Sequence, residues 1–157
     1  MKKKIWRILT GIVIAVLLTL IIYRIIQTER IVETVVETKR EYVDFERGAW
    51  NIFKEAVARV ESGQNSNAVG DKDDVGYLQI TPICVAEANR ISGKKYTLED
   101  RKSIQKSIEI WDIIQDFYNP THNHHLALKI WNSKAPLSYH TKVMETFNNM
   151  IDSLINK

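Results

Sequence analysis

The chain has 157 residues, of which 45% are apolar. This is enough for one compact domain plus a further segment, and it excludes a largely disordered protein. The formal net charge of +3 is unevenly spread: residues 1–30 carry six Lys or Arg against one acidic side chain, whereas residues 31–157 carry 16 against 18. The body of the chain therefore has no basic surplus that would indicate a nucleic-acid partner.

The N-terminal segment from Ile5 to Ile26 is strongly apolar. As a helix it would span about 33 Å, close to the ~30 Å hydrocarbon core of a bilayer. Arg7 and Arg24 would reach the two interfaces, and the lysines before the segment predict a cytoplasmic N-terminus with the rest exported to the periplasmic or extracytoplasmic side. We therefore predict that residues 1–26 are a cytoplasmic basic stub and a single-pass transmembrane anchor.

Two alternatives stay open for this segment. A cleaved signal peptide normally ends in a small-residue cleavage site, but the sequence after Tyr23 is R-I-I-Q-T-E. The other alternative is a buried helix of a soluble core. Both would remove the membrane as a partner of the mature protein.

Residues 27–44 are polar, alternate in charge and lack Gly and Pro. This pattern predicts a short helical stalk. A short coiled coil is also compatible with its sparse apolar positions, so the oligomeric state stays open. Residues 45–157 form the remaining domain.

Residues 45–157 are predicted to be mainly α-helical, because apolar residues recur at helical spacing and few stretches alternate as strands do. The predicted helices are Arg47–Glu61, Pro82–Ile91, one from Thr97 to the Asn119-Pro120 pair, His125–Trp131 and Thr141–Ile155. The expected inward residues are Ile104, Ile108, Trp111 and Ile114 in the third helix and Val143, Phe147, Met150 and Leu154 in the last. Residues 62–74 are predicted to be a loop.

Cys84 is the only cysteine, which excludes a disulfide within the chain. Its apolar neighbours predict a small core residue. The three histidines of T-H-N-H-H, at 122, 124 and 125, are predicted to be loop and surface residues, since no carboxylate is close in sequence. We expect neither a metal nor a cofactor.

Glu61 is the strongest candidate for a catalytic group. It falls at the C-terminal end of an apolar helix, where the helix dipole and burial both disfavour the carboxylate anion. Both effects raise the pKa of a carboxyl group, as a general acid near neutral pH requires. A solvated Glu at a helix end is the alternative interpretation.

Four sequence elements follow in order: Glu61-Ser62, the run G-Y-L-Q-I ending at Ile80, the run A-L-K-I-W-N ending at Asn132, and Tyr139 before the last helix. This order resembles the soluble branch of the lytic transglycosylase family and the related phage and goose-type lysozymes. Their pattern is E-S, G-L-M-Q-I, A-Y-N-x-G and a tyrosine. The resemblance covers about residues 46–150 and departs from the pattern at Tyr77, Leu78, Trp131 and the Ser133-Lys134 pair.

The resemblance implies an α+β lysozyme-like domain that cuts the β-1,4 bond between N-acetylmuramic acid and N-acetylglucosamine in peptidoglycan. It implies that Glu61 is the general acid. The residues implied to bind the glycan strand are Ser62, Tyr77, Gln79, Trp131, Asn132 and Tyr139. For Gln79, bracing of the loop backbone is an equal alternative.

The outcome of the cut depends on a second carboxylate. A hydrolase uses one to activate water or to attack the sugar. Asp71, Asp73 and Asp74 are the nearby candidates, Asp71 first, although a role in the loop turn and its solvation is the expected one for all three. Without it, Glu61 would act as acid and then as base while the muramic 6-hydroxyl closes a 1,6-anhydro ring. We expect this transglycosylase route, with the hydrolase, a non-catalytic glycan-binding or scaffold module, and an unrelated helical membrane protein as alternatives.

Overall fold

The computed structural model of the protein describes residues 2–156. Predictions that involve Met1 and Lys157, or the side chains of Lys2, Lys3, Ile5, Ile8, Leu9 and Val13, lie outside the described residues. The chain divides into two compact units, Met1–Glu46 and Arg47–Lys157. The helices are α1 (Lys2–Ser62), α2 (Pro82–Ser92), a 3₁₀ helix (Leu98–Lys102), α3 (Ile104–Tyr118), α4 (His124–Trp131) and α5 (Leu137–Ile155).

Helix α1 contains the predicted anchor, the predicted stalk and the first predicted helix of the domain without a break. Its sequence has no proline, which is the residue that most strongly interrupts a helix. Between Lys4 and Gly48 every described side chain except that of Gln27 is exposed. The N-terminal part of α1 is long and apolar enough to cross a membrane.

Helix α2 confirms the helix predicted from Pro82. The Thr81 hydroxyl accepts the Cys84 amide at 3.3 Å as an N-cap, and Pro82 follows in the first turn. Gly93 ends the helix in the left-handed region with φ 70°, and its amide donates to the Asn89 carbonyl at 2.9 Å.

The third predicted helix is wrong at its start. Thr97 and Asp100 form a capping box, but the box opens the short 3₁₀ helix Leu98–Lys102. Ser103 then caps α3, its hydroxyl accepting the Lys106 amide at 3.4 Å. Ile104, predicted to be buried, is therefore the first residue of α3 and is exposed.

The last helix begins four residues earlier than predicted, at Leu137, because Pro136 occupies the N-cap position. Tyr139 therefore lies in the first turn of α5. Val143 and Phe147 are buried as predicted and Met150 packs partly against the core. The prediction for Leu154 is wrong: it lies in the final turn and is exposed.

The core of the Arg47–Lys157 unit is formed by one face of each α-helix and by the loop before α2. Its largest fully buried side chains include Trp111, Phe53, Leu78 and Leu128, and burial of each such side chain contributes roughly 1.5–3 kcal/mol. Lys54, also buried, donates to both carboxylate oxygens of Asp112 at 2.9 and 3.0 Å and ties α1 to α3.

The prediction of a mainly α-helical protein is confirmed. Within residues 2–156 the only β-type pairing consists of isolated bridges at Val69, Val75 and Ile80. The described residues therefore belong to the mainly α-helical class, and they do not include the β-sheet that an α+β class would contain.

Candidate active site

Glu61 lies in the last turn of α1, where a left-handed glycine ends the helix. Gly63 has φ 62°. Its amide donates to the Arg59 carbonyl and the Gln64 amide donates to the Ala58 carbonyl, each at 3.2 Å. This arrangement satisfies two carbonyls of the last turns of the helix and turns the chain away after Ser62, the residue that follows Glu61.

Ser62 and Tyr77 connect the end of α1 to the loop that follows. The Ser62 hydroxyl donates to the Tyr77 carbonyl at 2.8 Å and accepts the Asn65 amide at 3.1 Å. The Tyr77 side chain is part of the core and is 7% exposed. The sequence predicts both residues as glycan contacts, whereas the contacts that the structure gives them are with the protein itself.

The segment from Val69 to Ile80 is a compact loop in which Val75 bridges to both Val69 and Ile80. Gly76 has φ 84°, and a Cβ at this position would lie 2.0 Å from the Arg101 carbonyl oxygen. Only glycine fits there without displacing backbone. The loop is therefore packed directly against the 3₁₀ helix.

Gln79 braces this loop and also faces the cleft beside Glu61. Its side-chain amide donates to the Gly76 carbonyl at 2.9 Å and to the Ala68 carbonyl at 3.4 Å. Its backbone is left-handed, with φ 50°, which costs a non-glycine residue about 1–3 kcal/mol. The bracing role considered in the sequence is thus present, and a contact between Gln79 and a sugar stays a prediction.

Glu61 is half-buried and accepts a hydrogen bond from the hydroxyl of Tyr139, with 2.5 Å between Oη and Oε1. Burial raises the pKa of Glu61 above its ordinary value, the Tyr139 hydrogen bond opposes this, and the nearby charge of Asp74 adds to the rise. Burial and the Glu61 charge also raise the pKa of Tyr139, so its phenol stays protonated and keeps donating. The pair can therefore hold a proton on Glu61 at a higher pH than an exposed Glu would.

A cleft of about 300 Å³ opens beside Glu61. The lining combines carboxylates, amides, one lysine and one indole, contributed by the ends of α1 and α4, the 69–80 loop and the start of α2. The lining residues are Glu61, Asp71, Lys72, Asp74, Gln79, Thr81, Cys84, Trp131 and Asn132.

Trp131 and Asn132 form the α4 side of this cleft. The Trp131 indole is half-buried, packs against Trp111 with ring centroids 4.4 Å apart, and donates from Nε1 to the Leu78 carbonyl at 3.3 Å. It therefore packs against the core and lines the cleft at once, and its contact with a glycan stays a prediction. Asn132 is the C-cap of α4.

The structure brings five of the eight predicted site residues into the cleft lining: Glu61, Asp71, Gln79, Trp131 and Asn132. Tyr139 joins them through its hydrogen bond to Glu61. Asp74 is the carboxylate whose charge acts on Glu61, although the sequence ranks Asp71 first. The three neighbouring aspartates look alike in sequence, and only the loop geometry separates them: Asp73 is drawn away by Arg101.

Cys84 is half-buried at the core boundary rather than fully buried, and it faces the cleft with its Sγ accepting the Thr81 hydroxyl at 3.2 Å. Cys84 lies in the first turn of α2, which begins at Pro82 directly after the loop, so its local sequence does not distinguish a core position from a position beside the cleft.

The histidines have a packing role that the sequence reasoning missed. His122 stacks on Trp50 with ring centroids 4.4 Å apart, and His124 stacks on Phe53 at the same distance. The partners lie about 70 positions away in sequence. Across residues 2–156, no group of three or more His, Cys, Asp or Glu is arranged to hold a metal ion.

Comparison of this chain with protein-family models, with curated proteins and with solved structures finds no match.

Proposed function

We propose that the protein is a membrane-anchored enzyme that cleaves the β-1,4 bond between N-acetylmuramic acid and N-acetylglucosamine in peptidoglycan, acting as a lytic transglycosylase. One observation supports this most directly: Glu61 is half-buried in a cleft, its pKa is raised, and Tyr139 holds it by a hydrogen bond. The proposal includes a lysozyme-like domain, a cytoplasmic N-terminus and an extracytoplasmic catalytic domain.

The first chemical step needs a proton on the glycosidic oxygen. Glu61 is suited to supply it, because burial raises the pKa of its carboxyl group above the ordinary value and so favours the protonated form. The bond to the leaving sugar then breaks and leaves an oxocarbenium-like muramic sugar. Trp131 and Asn132 stand on the same cleft and are suited to contact the sugar face and its polar groups.

The second step uses the same residue in the opposite role. The Glu61 carboxylate takes the proton of the muramic 6-hydroxyl, and that oxygen forms the new bond to C1, closing a 1,6-anhydro ring. The Tyr139 hydroxyl donates to the carboxylate and fixes its position between the two steps. Protons and bonds balance without water, metal or cofactor.

A hydrolase is the second candidate, and one observation favours it. Asp71 and Asp74 line the cleft with Glu61, and the charge of Asp74 acts on Glu61 directly. An aspartate at hydrolytic distance would activate a water molecule and give a reducing end instead of an anhydro ring. The two products differ in mass by one water.

The test is mass spectrometry of muropeptides released from purified peptidoglycan by the full-length protein in detergent micelles. Glu61→Gln removes the proposed general acid. Glu55→Gln, the same change at an exposed position on the same helix, is the control. Anhydro-muramic ends that are lost in Glu61→Gln and kept in Glu55→Gln support the transglycosylase. Reducing ends support the hydrolase, and no release by a folded wild type overturns both.

The proposed orientation has its own test. A C-terminal alkaline phosphatase fusion, which is active only after export, should be active in cells, and a fluorescent-protein fusion that folds only in the cytoplasm should stay dark. The reverse result overturns the orientation without affecting the proposed chemistry.

A further inference from the structure

Arg101 is a buried arginine outside the cleft lining. It lies in the 3₁₀ helix and is 6% exposed. A buried guanidinium is costly unless its donors are used. Its Nε donates to the Leu98 carbonyl at 2.8 Å, and the remaining contacts all reach the loop that borders the cleft.

Those contacts hold both ends of the loop segment between residues 73 and 80. Nη1 donates to the Asp73 carbonyl at 2.5 Å and to the Ile80 carbonyl at 3.4 Å. Both terminal nitrogens also lie 3.5 Å from the Asp73 carboxylate. One planar group thus joins two points seven residues apart, for which the fork geometry of Arg is better suited than the single ammonium of Lys.

The two held residues are next to two of the loop residues that line the cleft with Glu61. Asp73 precedes Asp74, and Ile80 follows Gln79. Asp73 and Gln79 are left-handed, with φ 57° and 50°, and such backbones persist only where the surroundings fix them. The contacts of Arg101 with the Asp73 and Ile80 carbonyls supply such a constraint.

The backbone of Arg101 contributes as well. Its carbonyl oxygen occupies the space where a Cβ of residue 76 would stand, and it accepts the buried Ser107 hydroxyl at 2.8 Å. Side chain and main chain of one residue therefore contact the loop between α1 and α2 at three places, and Ser107 anchors that residue to α3.

We propose that Arg101 is a positioning residue of the cleft, which fixes Asp74 and Gln79 beside Glu61 through its contacts with Asp73 and Ile80. A role of Arg101 in catalysis rests on the proposed function, whereas its effect on the geometry of the cleft does not depend on that function.

This positioning has a measurable consequence at Glu61. The titratable groups that contact Glu61 or share its cleft are Tyr139 from α5, Asp71, Lys72 and Asp74 from the loop, and Cys84 from α2. Of the charged groups, Asp74 is the one that raises the pKa of Glu61, and its neighbour is held by Arg101. A loosened loop would let the Asp74 carboxylate move into solvent, so the pKa of Glu61 would fall.

The experiment measures the pKa of Glu61 directly, by carbon NMR of glutamate-carboxyl-labelled full-length protein in detergent micelles, with Glu61→Gln to assign the signal. The variants are Arg101→Lys, Asp74→Asn and the double variant. We expect a lower pKa in each single variant and no further decrease in the double variant. Asp112→Asn, which breaks the Lys54 ion pair away from the loop, should destabilise the fold and leave the pKa as in the wild type.

A folded Arg101→Lys protein with the wild-type pKa at Glu61 overturns the proposal, and so does a double variant in which the two decreases add. If Arg101→Lys does not fold, Ser107→Ala replaces it: a fall in the pKa supports the positioning role, and an unchanged pKa refutes it. None of these measurements needs substrate. If the pKa of Glu61 shifts as expected but the protein does not cleave peptidoglycan, the proposed enzymatic function is refuted and the positioning role of Arg101 is supported.

Discussion

The cleft has two sides that are built in different ways. On the helix side, Glu61 and Tyr139 stand on the regular backbones of α1 and α5 and meet through one hydrogen bond. On the loop side, residues 70–79 are held by side-chain bracing, by a glycine that contacts Arg101, and by left-handed backbones at Asp73 and Gln79. The helix side places the acid, and the loop side sets the charge around it.

This contrast predicts which property of the protein a substitution on each side should change. A helix keeps its geometry when one side chain changes, so substitutions on the helix side should alter chemistry and spare the fold. A loop whose shape depends on a few contacts should lose stability or electrostatic control instead. The following variants separate the two sides.

Glu61→Gln should have the largest effect. Loss of the proposed general acid should lower the rate of the proposed glycan cleavage by about 10²–10⁴-fold, while the thermal midpoint stays within a few degrees because the amide keeps the shape of the carboxyl group. Turbidity loss of a peptidoglycan suspension measures the rate. Equal cleavage rates for the variant and the wild type would show that Glu61 is not the general acid.

Gly76→Ala should cost the most stability. A Cβ there meets the Arg101 carbonyl oxygen, and φ is 84°, so the free energy of unfolding should fall by about 3 kcal/mol. Gly93→Ala is the matched control, since its φ is 70° but its Cβ would meet no atom within 4 Å. It should cost only about 1 kcal/mol. Urea titration measures both, and equal losses would contradict the tight loop contact.

Tyr139→Phe should reduce the cleavage rate about tenfold, because a hydrogen bond to a charged group is worth about 1.5 kcal/mol. The pKa of Glu61 should rise, since the lost hydrogen bond lowers it in the wild type. Activity that requires the protonated acid should then persist to higher pH. A pH profile of the initial rate checks the sign, and a shift to lower pH would contradict the geometry of the pair.

Asp74→Asn should have the smallest effect on a transglycosylase. Removing its charge should lower the pKa of Glu61, so the alkaline limb of the activity profile should move to lower pH with the maximal rate nearly kept. Asp71→Asn is the control at an exposed position and should leave the limb in place. A complete loss of cleavage in either variant would identify that aspartate as the second carboxylate of a hydrolase.

Much of the helical architecture follows from the sequence. The proline at 82 and the apolar spacing that predicts helices over residues 47–61, 82–91 and 125–131 are local signals, and the structure has a helix over each of these ranges. Ile104 and Leu154 were mispredicted because helical spacing reports a face but not whether the terminal turn reaches the core.

The site is less predictable than the fold. Glu61 can be predicted from the sequence as a candidate site residue, because a helix end and an apolar helix face are local features. The Glu61 contact with Tyr139 spans 78 positions, and Asp73, unlike Asp74, is held by Arg101, 28 positions away in sequence. Such arrangements depend on contacts across the fold, which no local pattern in the sequence encodes.

The indoles of Trp50, Trp111 and Trp131 form a row that runs from α1 to the cleft, with successive ring centroids 6.4 and 4.4 Å apart. At such separations the excited states of neighbouring indoles couple, so light absorbed by one ring is shared with the others. Because Trp131 ends the row in the cleft lining, a molecule bound there would alter the emission and near-ultraviolet dichroism of all three. The protein thus carries an optical reporter of cleft occupancy within its own core.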